Sequence, residues 1–255
     1  MSVLEIIYVG AALLLTMYAL NSWILTALYL RHRRDAVPRP ETTRFPRVTV
    51  QLPLYNEALV VERLIESIVG LDWPRDRLQI QVLDDSTDET TAVVQTQVDD
   101  YRAQGIDIEL VHRTDRRGFK AGALKEGLEG AAGEFIAIFD ADFVPDSDWL
   151  HRTVPYFLER PQLGMIQTRW AHLNYDYSLL TRSQALALDG HFTVEQTARQ
   201  RSGLLMNFNG TAGIWRRECI TDAGGWQADT VSEDMDLSYR AQLQGWQCLF
   251  LPDVG

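Results

Sequence analysis

From Ile6 to Leu30 the chain runs for 25 residues without a charged side chain. A helix of that length is about 37 Å long, enough to cross a bilayer with some tilt. Arg31, His32, Arg33 and Arg34 follow at once, and Glu5 stands on the other side. Basic flanks face the cytoplasm. The sequence therefore predicts one transmembrane helix with its amino terminus outside and the rest of the chain on the cytoplasmic side. Tyr8, Trp23 and Tyr29 stand towards the ends of the run, as interfacial aromatics do. A cleaved leader would instead open on basic residues, carry a shorter apolar core and end at a small-residue cleavage site.

Charge separates the parts. Residues 1–47 hold six arginines and three acids, whereas the remaining 208 hold 18 basic and 32 acidic residues. That acidic excess argues against a partner recognised by its phosphate backbone, so no nucleic acid is expected. Asp35 to Pro46, with Pro38, Pro40 and Pro46, reads as an extended linker. The division expected is a membrane helix and basic flank at 1–34, a linker at 35–46 and a catalytic or binding domain at 47–255. Cys219 and Cys248 lie 29 residues apart, which excludes a disulfide framework and a cysteine-rich zinc site. The five histidines lack metal-ligand spacing.

Beyond the linker, strand and helix alternate. Strands are expected at 48–54, 78–83, 106–111 and 134–139, and helices at 57–71, 88–101 and 118–131. Repeated βα units of this kind predict an α/β fold with a parallel sheet covered on both faces. Ligands in such sheets bind outside the carboxyl ends of the strands. Two acidic clusters fall there: Asp84-Asp85 and Asp140-Ala141-Asp142.

Each cluster has two readings. Asp140 and Asp142 could share a divalent ion that keeps phosphate and water in its other positions, or could be a solvated pair after a strand. Asp84 and Asp85 could accept hydrogen bonds from a base or ribose, or could shape a turn and cap a helix together with Ser86 and Asp88. Lys120, one of two lysines beside 22 arginines, opens a helix in GFKAGAL. A cation beside free N–H groups suits a diphosphate, and helix starts otherwise disfavour cations. Ser232-Glu233-Asp234-Met235-Asp236 precedes an amphipathic run. It reads as a helix cap, or as a general base beside a sugar.

Taken in order, PLYNE (53–57), LDDSTD (83–88), KAGAL (120–124), FDADFVP (139–145) and SEDMDLSYR (232–240) resemble the inverting family 2 glycosyltransferases with the nucleotide-diphospho-sugar (GT-A) fold. QTRWAHLN (167–174), HFTVEQ (191–196), FNGTAGIWRR (208–217) and AGGW (223–226) resemble the mannan and glucomannan synthase-like branch, a relative of the cellulose synthases. Phe143 stands where cellulose synthases often place a histidine.

The resemblance implies a GT-A fold with a mostly parallel sheet, preceded by one transmembrane helix. It implies a membrane-anchored enzyme that moves a hexose from GDP-mannose, GDP-glucose or UDP-glucose to a growing β-glycan. By motif, Pro53, Tyr55, Glu57, Asp85, Lys120 and Asp140 would bind the nucleotide-sugar. Asp142 and Asp140 would hold Mg²⁺ or Mn²⁺. Asp234, with Glu233 beside it, would act as catalytic base. Gln167, Arg169, Trp170, Asn209 and Gly210 would serve the acceptor, a glycan or a lipid-linked sugar. Processive members continue into a Q(Q/R)xRW segment and further membrane helices, so a domain truncated at its carboxyl terminus is expected. Alternatives are a non-catalytic sugar-nucleotide-binding scaffold and a non-processive transferase with a lipid-phosphate acceptor. A haloacid-dehalogenase-like phosphatase also fits IAIFDADFV, but three predicted strands precede that motif.

Overall fold

The computed structural model describes residues 2–35 and 37–255. Residues 1 and 36, which fall in the expected helix and linker segments, lie outside the described residues. The chain divides into two compact units. One takes residues 1–36 and Trp170–Leu205, the other Val37–Arg169 and Met206–Gly255.

The larger unit is built on a seven-stranded sheet. Its strands are β1 (Val48–Leu54), β2 (Leu78–Asp84), β3 (Ile108–His112), β4 (Phe135–Ile138), β5 (Leu163–Thr168), β6 (Gly213–Arg216) and β7 (Gln247–Leu251), in the order β3-β2-β1-β4-β6-β5-β7. β1, β2, β3 and β4 pair in parallel, as do β5 and β7. β6 runs antiparallel to both of its neighbours. The sheet is thus mixed and mostly parallel, with one reversed strand that the βα alternation did not predict.

Helices α2 (Val61–Val69), α3 (Thr90–Ala103), α4 (Phe119–Gly130), α5 (Trp149–Glu159), α8 (Arg217–Asp222) and α9 (Glu233–Leu243) belong to this unit. α2 buries Val61, Leu64, Ile65 and Ile68, the i, i+3, i+4, i+7 stripe of a helix laid on a core. The helix expected from residue 57 begins only at 61, so Glu57 lies in the turn after β1. Pro53 is tolerated in central β1 because the β4 ladder stops at Gln51, where a missing N–H no longer matters. The Thr49 hydroxyl donates to Gln79 Oε1 at 2.7 Å and Gln51 Nε2 donates to Gln81 Oε1 at 2.9 Å, so buried polar side chains pair across adjacent strands.

The smaller unit contains α1 (Val3–His32), α6 (Leu179–Asp189), a π-helical segment (Gly190–Gln196) and α7 (Thr197–Arg201). α1 is long and apolar enough to cross a membrane. It begins with a capping box in which Ser2 and Glu5 bond each other's backbone N–H. His191 and Arg199 both bond Glu195 and hold its carboxyl down at about 2.

Candidate active site

Four parallel strands end at one edge of the sheet. Because β6 is reversed, its start meets the same edge. The turn after β1, the Asp84-Asp85 pair after β2, Arg113 after β3, Asp140 to Asp142 after β4 and the loop before β6 therefore converge.

Asp84 is fully buried and structural. Its oxygens accept from the Ser86 N–H at 3.0 Å and the Thr91 hydroxyl at 2.6 Å, and they lie 2.9 Å from His112 Nδ1. Asp85, only 4% exposed, is gripped by one guanidinium. Arg113 Nε donates to Oδ1 at 2.6 Å and Nη2 to Oδ2 at 2.5 Å. The same guanidinium donates to the carbonyls of Arg117 and Phe119. Arg113 thus ties the end of β2 to the turn that starts α4. That turn needs Gly118, whose φ is +75° and whose Cβ would lie 2.9 Å from that of Ala228.

Lys120, in the first turn of α4, forms an ion pair with Asp140 Oδ1 and donates to the Gly210 carbonyl at 3.0 Å. The Asp140 N–H donates to the Thr211 hydroxyl at 2.8 Å, so β4 and the loop before β6 are joined twice. Burial pushes the Asp140 carboxyl up and Lys120 opposes that shift, while Asp142 and Asp234 add to it. Glu57 is pushed up by burial and then by Asp142, Asp140 and Asp88. Five acids, Glu57, Asp88, Asp140, Asp142 and Asp234, therefore add to a repulsive field near one lysine, a field that favours a cation.

Pro53, Tyr55, Glu57, Asp85, Lys120, Asp140 and Asp142 all border one cleft of about 370 Å³. Arg116 borders it too, its guanidinium 3.3 Å from the centre of the Tyr55 ring. Sequence reasoning assigned nothing to Arg113 or Arg116. The available signal was three arginines within five positions, following a strand of an acidic domain.

Asp234 lies in the first turn of α9. Ser232 precedes the helix but makes no side-chain cap; its hydroxyl donates instead to Asp234 Oδ1 at 2.6 Å. The Met235 N–H donates to the same oxygen at 2.7 Å. The other oxygen faces Gly210: a Cβ there would lie 3.1 Å from Asp234 Oδ2 and 3.4 Å from Lys120 Nζ. Gly210, at φ +79°, is thus the thin wall between the lysine and this carboxylate. Glu233 stands beside Asp234 in the same turn, half-buried.

The acceptor-side candidates separate. Gln167 is fully buried and donates to the carbonyls of Thr168, Thr211 and Ala212. Its Oε1 accepts from the Asn209 N–H at 2.9 Å, so it holds the loop from behind. Asn209 Oδ1 accepts from Asn207 Nδ2 at 2.7 Å. The Arg169 N–H donates to the Val254 carbonyl at 2.9 Å. Trp170 belongs to the smaller unit, where its ring lies 5.0 Å from that of Phe192.

The family model described as "Glycosyltransferase like family 2" matches residues 46–255. Glucomannan 4-beta-mannosyltransferase 1 of Cyamopsis tetragonoloba is 44% identical over 232 residues, 89% of this chain and 44% of that protein. Glucomannan 4-beta-mannosyltransferase 9 of Arabidopsis thaliana is 47% identical over 211 residues, 81% of this chain and 40% of that protein. The chain thus spans less than half the length of these curated relatives. Among solved structures, a Pyrobaculum calidifontis mannosyltransferase in complex with GDP-Man and Mn²⁺ matches with a TM-score of 0.75 at 28% identity, over 95% of this chain and 66% of that one. S. aureus TarS (1–349) matches with a TM-score of 0.60 at 17% identity, over 81% and 58%, a likeness of fold.

Proposed function

The chain belongs to the glycosyltransferase-like family 2, and on that premise we propose that it is a membrane-anchored inverting hexosyltransferase. It transfers a mannosyl group from GDP-mannose to a growing β-glycan. The donor and the β-linkage rest on the names of the relatives and the neighbour's bound GDP-Man. The observation that carries the reading is the convergence of Asp140, Asp142 and Lys120 on one cleft at the carboxyl edge of the sheet, with Lys120 and Asp234 both against Gly210.

The residues present fit a divalent ion. Asp140 and Asp142 offer hard oxygens, and the acids around them repel one another. Among the described residues no group of three or more His, Cys, Asp or Glu is placed to hold a metal. The fit is thus to an ion that completes its shell with diphosphate and water, as Mg²⁺ and Mn²⁺ do. When bound, the ion would offset the charge of the leaving diphosphate as a Lewis acid.

The chain's own groups do the rest. Pro53, Tyr55, Glu57 and Asp85 line the nucleotide side, with Asp85 held rigid by Arg113. Lys120 has three N–H donors and uses two on Asp140 and Gly210, leaving one for a diphosphate oxygen. Asp234 Oδ1 is fixed by Ser232 and Met235, and Oδ2 takes the proton of the acceptor hydroxyl as it attacks the anomeric carbon. A single displacement turns an α-linked donor into a β-linked product. Gln167, Arg169, Trp170, Asn209 and Gly210 serve the acceptor side, Gln167 by bracing the loop that carries Asn209 and Gly210. α1 spans the membrane, with Arg31 to Arg34 and the catalytic unit in the cytoplasm.

Asp234→Asn in the full-length protein tests the reading. It should leave GDP-mannose affinity near the wild-type value while transfer falls by ~10²–10⁴, the usual worth of a positioned base. A folded, donor-binding Asn variant with wild-type transfer would remove Asp234 from the mechanism.

A further inference from the structure

A second cavity opens at the opposite edge of the sheet. β1, β2 and β4 begin there and the reversed β6 ends there, so Arg47, Arg77, Glu134 and Arg216 reach one place from four strands. The cavity has a volume of about 940 Å³ and lies wholly within the larger unit. Small-molecule sites fall at ~300–1,000 Å³. Five arginines border it, Arg44, Arg47, Arg77, Arg216 and Arg217, against three acids. That surplus stands in a chain whose residues after 47 carry 32 acids and only 18 basic residues.

The acids do not satisfy these cations. The Arg216 side chain is 12% exposed, with the Phe135 and Phe157 rings 5.3 and 5.6 Å from its guanidinium. Its Nε donates to the Leu163 carbonyl at 3.1 Å and its Nη2 to the Phe157 carbonyl at 2.9 Å. Carbonyls fix the group without cancelling its charge. Nη1 makes no hydrogen bond among the described residues, and Glu134 Oε1, the carboxylate oxygen in range, is 3.9 Å away. The other oxygen of Glu134 lies 3.1 Å from Arg44. Arg217 donates to the Ala131 carbonyl at 2.7 Å and, among the described residues, has no carboxylate within ion-pair distance. Asp222 already accepts from Trp246 Nε1 at 2.8 Å. Arg47 and Arg77 pair with Asp107 and Asp76, neither of which borders the cavity.

The wall that carries Arg44 and Arg47 is braced. Between them the Phe45 ring lies 5.1 Å from Trp73 and 5.8 Å from His151, and Trp73 Nε1 donates to the Pro46 carbonyl at 3.2 Å. A site held this way loses little freedom when it is filled.

We propose that this cavity binds a phosphate-bearing anion of two or more negative charges, apart from the catalytic cleft. Arg216 Nη1 and Arg217 supply the inner donors, and Arg44 and Arg77 add charge at the rim. The planar fork of a guanidinium matches phosphate oxygens, and several around one cavity favour a multiply charged ligand. A soluble phosphate ester and the headgroup of an anionic phospholipid both have that chemistry.

Calorimetry with inorganic pyrophosphate provides the test, on the full-length protein in phosphatidylcholine discs with chelator present. Lys120→Gln is carried in every sample, so that the catalytic cleft adds little. This parent should bind pyrophosphate. Arg77→Gln together with Arg217→Gln should weaken binding about tenfold, because two charge-assisted contacts are lost. Glu218→Gln, which removes an acid bordering the cavity, should tighten it roughly two- to fivefold. All three positions are exposed, so the fold should tolerate the changes. No binding by the parent, or binding that neither the arginine pair nor Glu218→Gln alters, overturns the site. Discs with phosphatidic acid are then compared with discs of equal surface charge made with phosphatidylserine. Weaker pyrophosphate binding in phosphatidic acid identifies a headgroup as the ligand, and equal binding identifies a soluble ester.

Discussion

At the scale of single residues, two carboxylates carry opposite obligations. Asp142 is exposed and borders the cleft, so its value lies in what it can ligate. Asp142→Asn should abolish the Mg²⁺- or Mn²⁺-dependent part of GDP-mannose binding, because a neutral amide is a poor ligand for a hard cation. Calorimetry with and without chelator reads this, and an unchanged metal-dependent affinity would return Asp142 to a structural role. Asp85 is buried, and both of its oxygens already accept from Arg113. Arg113→Met should cost about 3–5 kcal/mol, since it strands a carboxylate away from water. Adding Asp85→Asn should recover part of that loss. Denaturant unfolding of the two variants decides whether the pair behaves as a unit; equal stabilities would show that it does not.

At the scale of elements, α4 is positioned by what its start lacks. A Cβ on Gly122 would overlap the Arg117 carbonyl oxygen and lie 2.7 Å from Arg113 Nη1. Alanine is worth about 1 kcal/mol more than glycine in an open helix interior. Here the overlap is with backbone, which cannot swing aside as a flexible side chain can. Gly122→Ala should therefore destabilise the protein by roughly 1–3 kcal/mol, against the helix propensity. Because Lys120 sits one half-turn earlier, donor affinity should fall as well. A melting temperature at or above wild type would contradict the tight turn. The same local reasoning explains α9. Its sequence offers a cap in Ser232, yet the hydroxyl donates to Asp234 Oδ1 two residues on, while the loop at Gly210 lies against the other oxygen.

At the scale of the whole molecule, the prediction concerns topology. With Arg31 to Arg34 in the cytoplasm, a cysteine at exposed Glu41 should be protected from an impermeant thiol reagent in intact cells and labelled after lysis. The native thiols give little background, since burial pushes Cys219 up to about 12 and raises Cys248 as well. Labelling of Glu41→Cys in intact cells would reverse the orientation.

Sequence by itself determined the features that depend on neighbours along the chain. The uncharged run from Ile6 to Leu30, the apolar stripe of α2 and the acids closing β2 and β4 are local patterns, and period and composition are enough to read them. Tertiary structure alone decided what is brought together from afar. β6 runs antiparallel, which no βα alternation signals, and that reversal carries Gly210 to Lys120, 90 residues earlier in the chain. The pairing of Lys120 with Asp140 and the grip of Arg113 on Asp85 arise the same way. Each depends on sheet order and on which backbone passes close to which. A side chain's charge or apolarity is written in its identity, but the partner that satisfies it is chosen by packing.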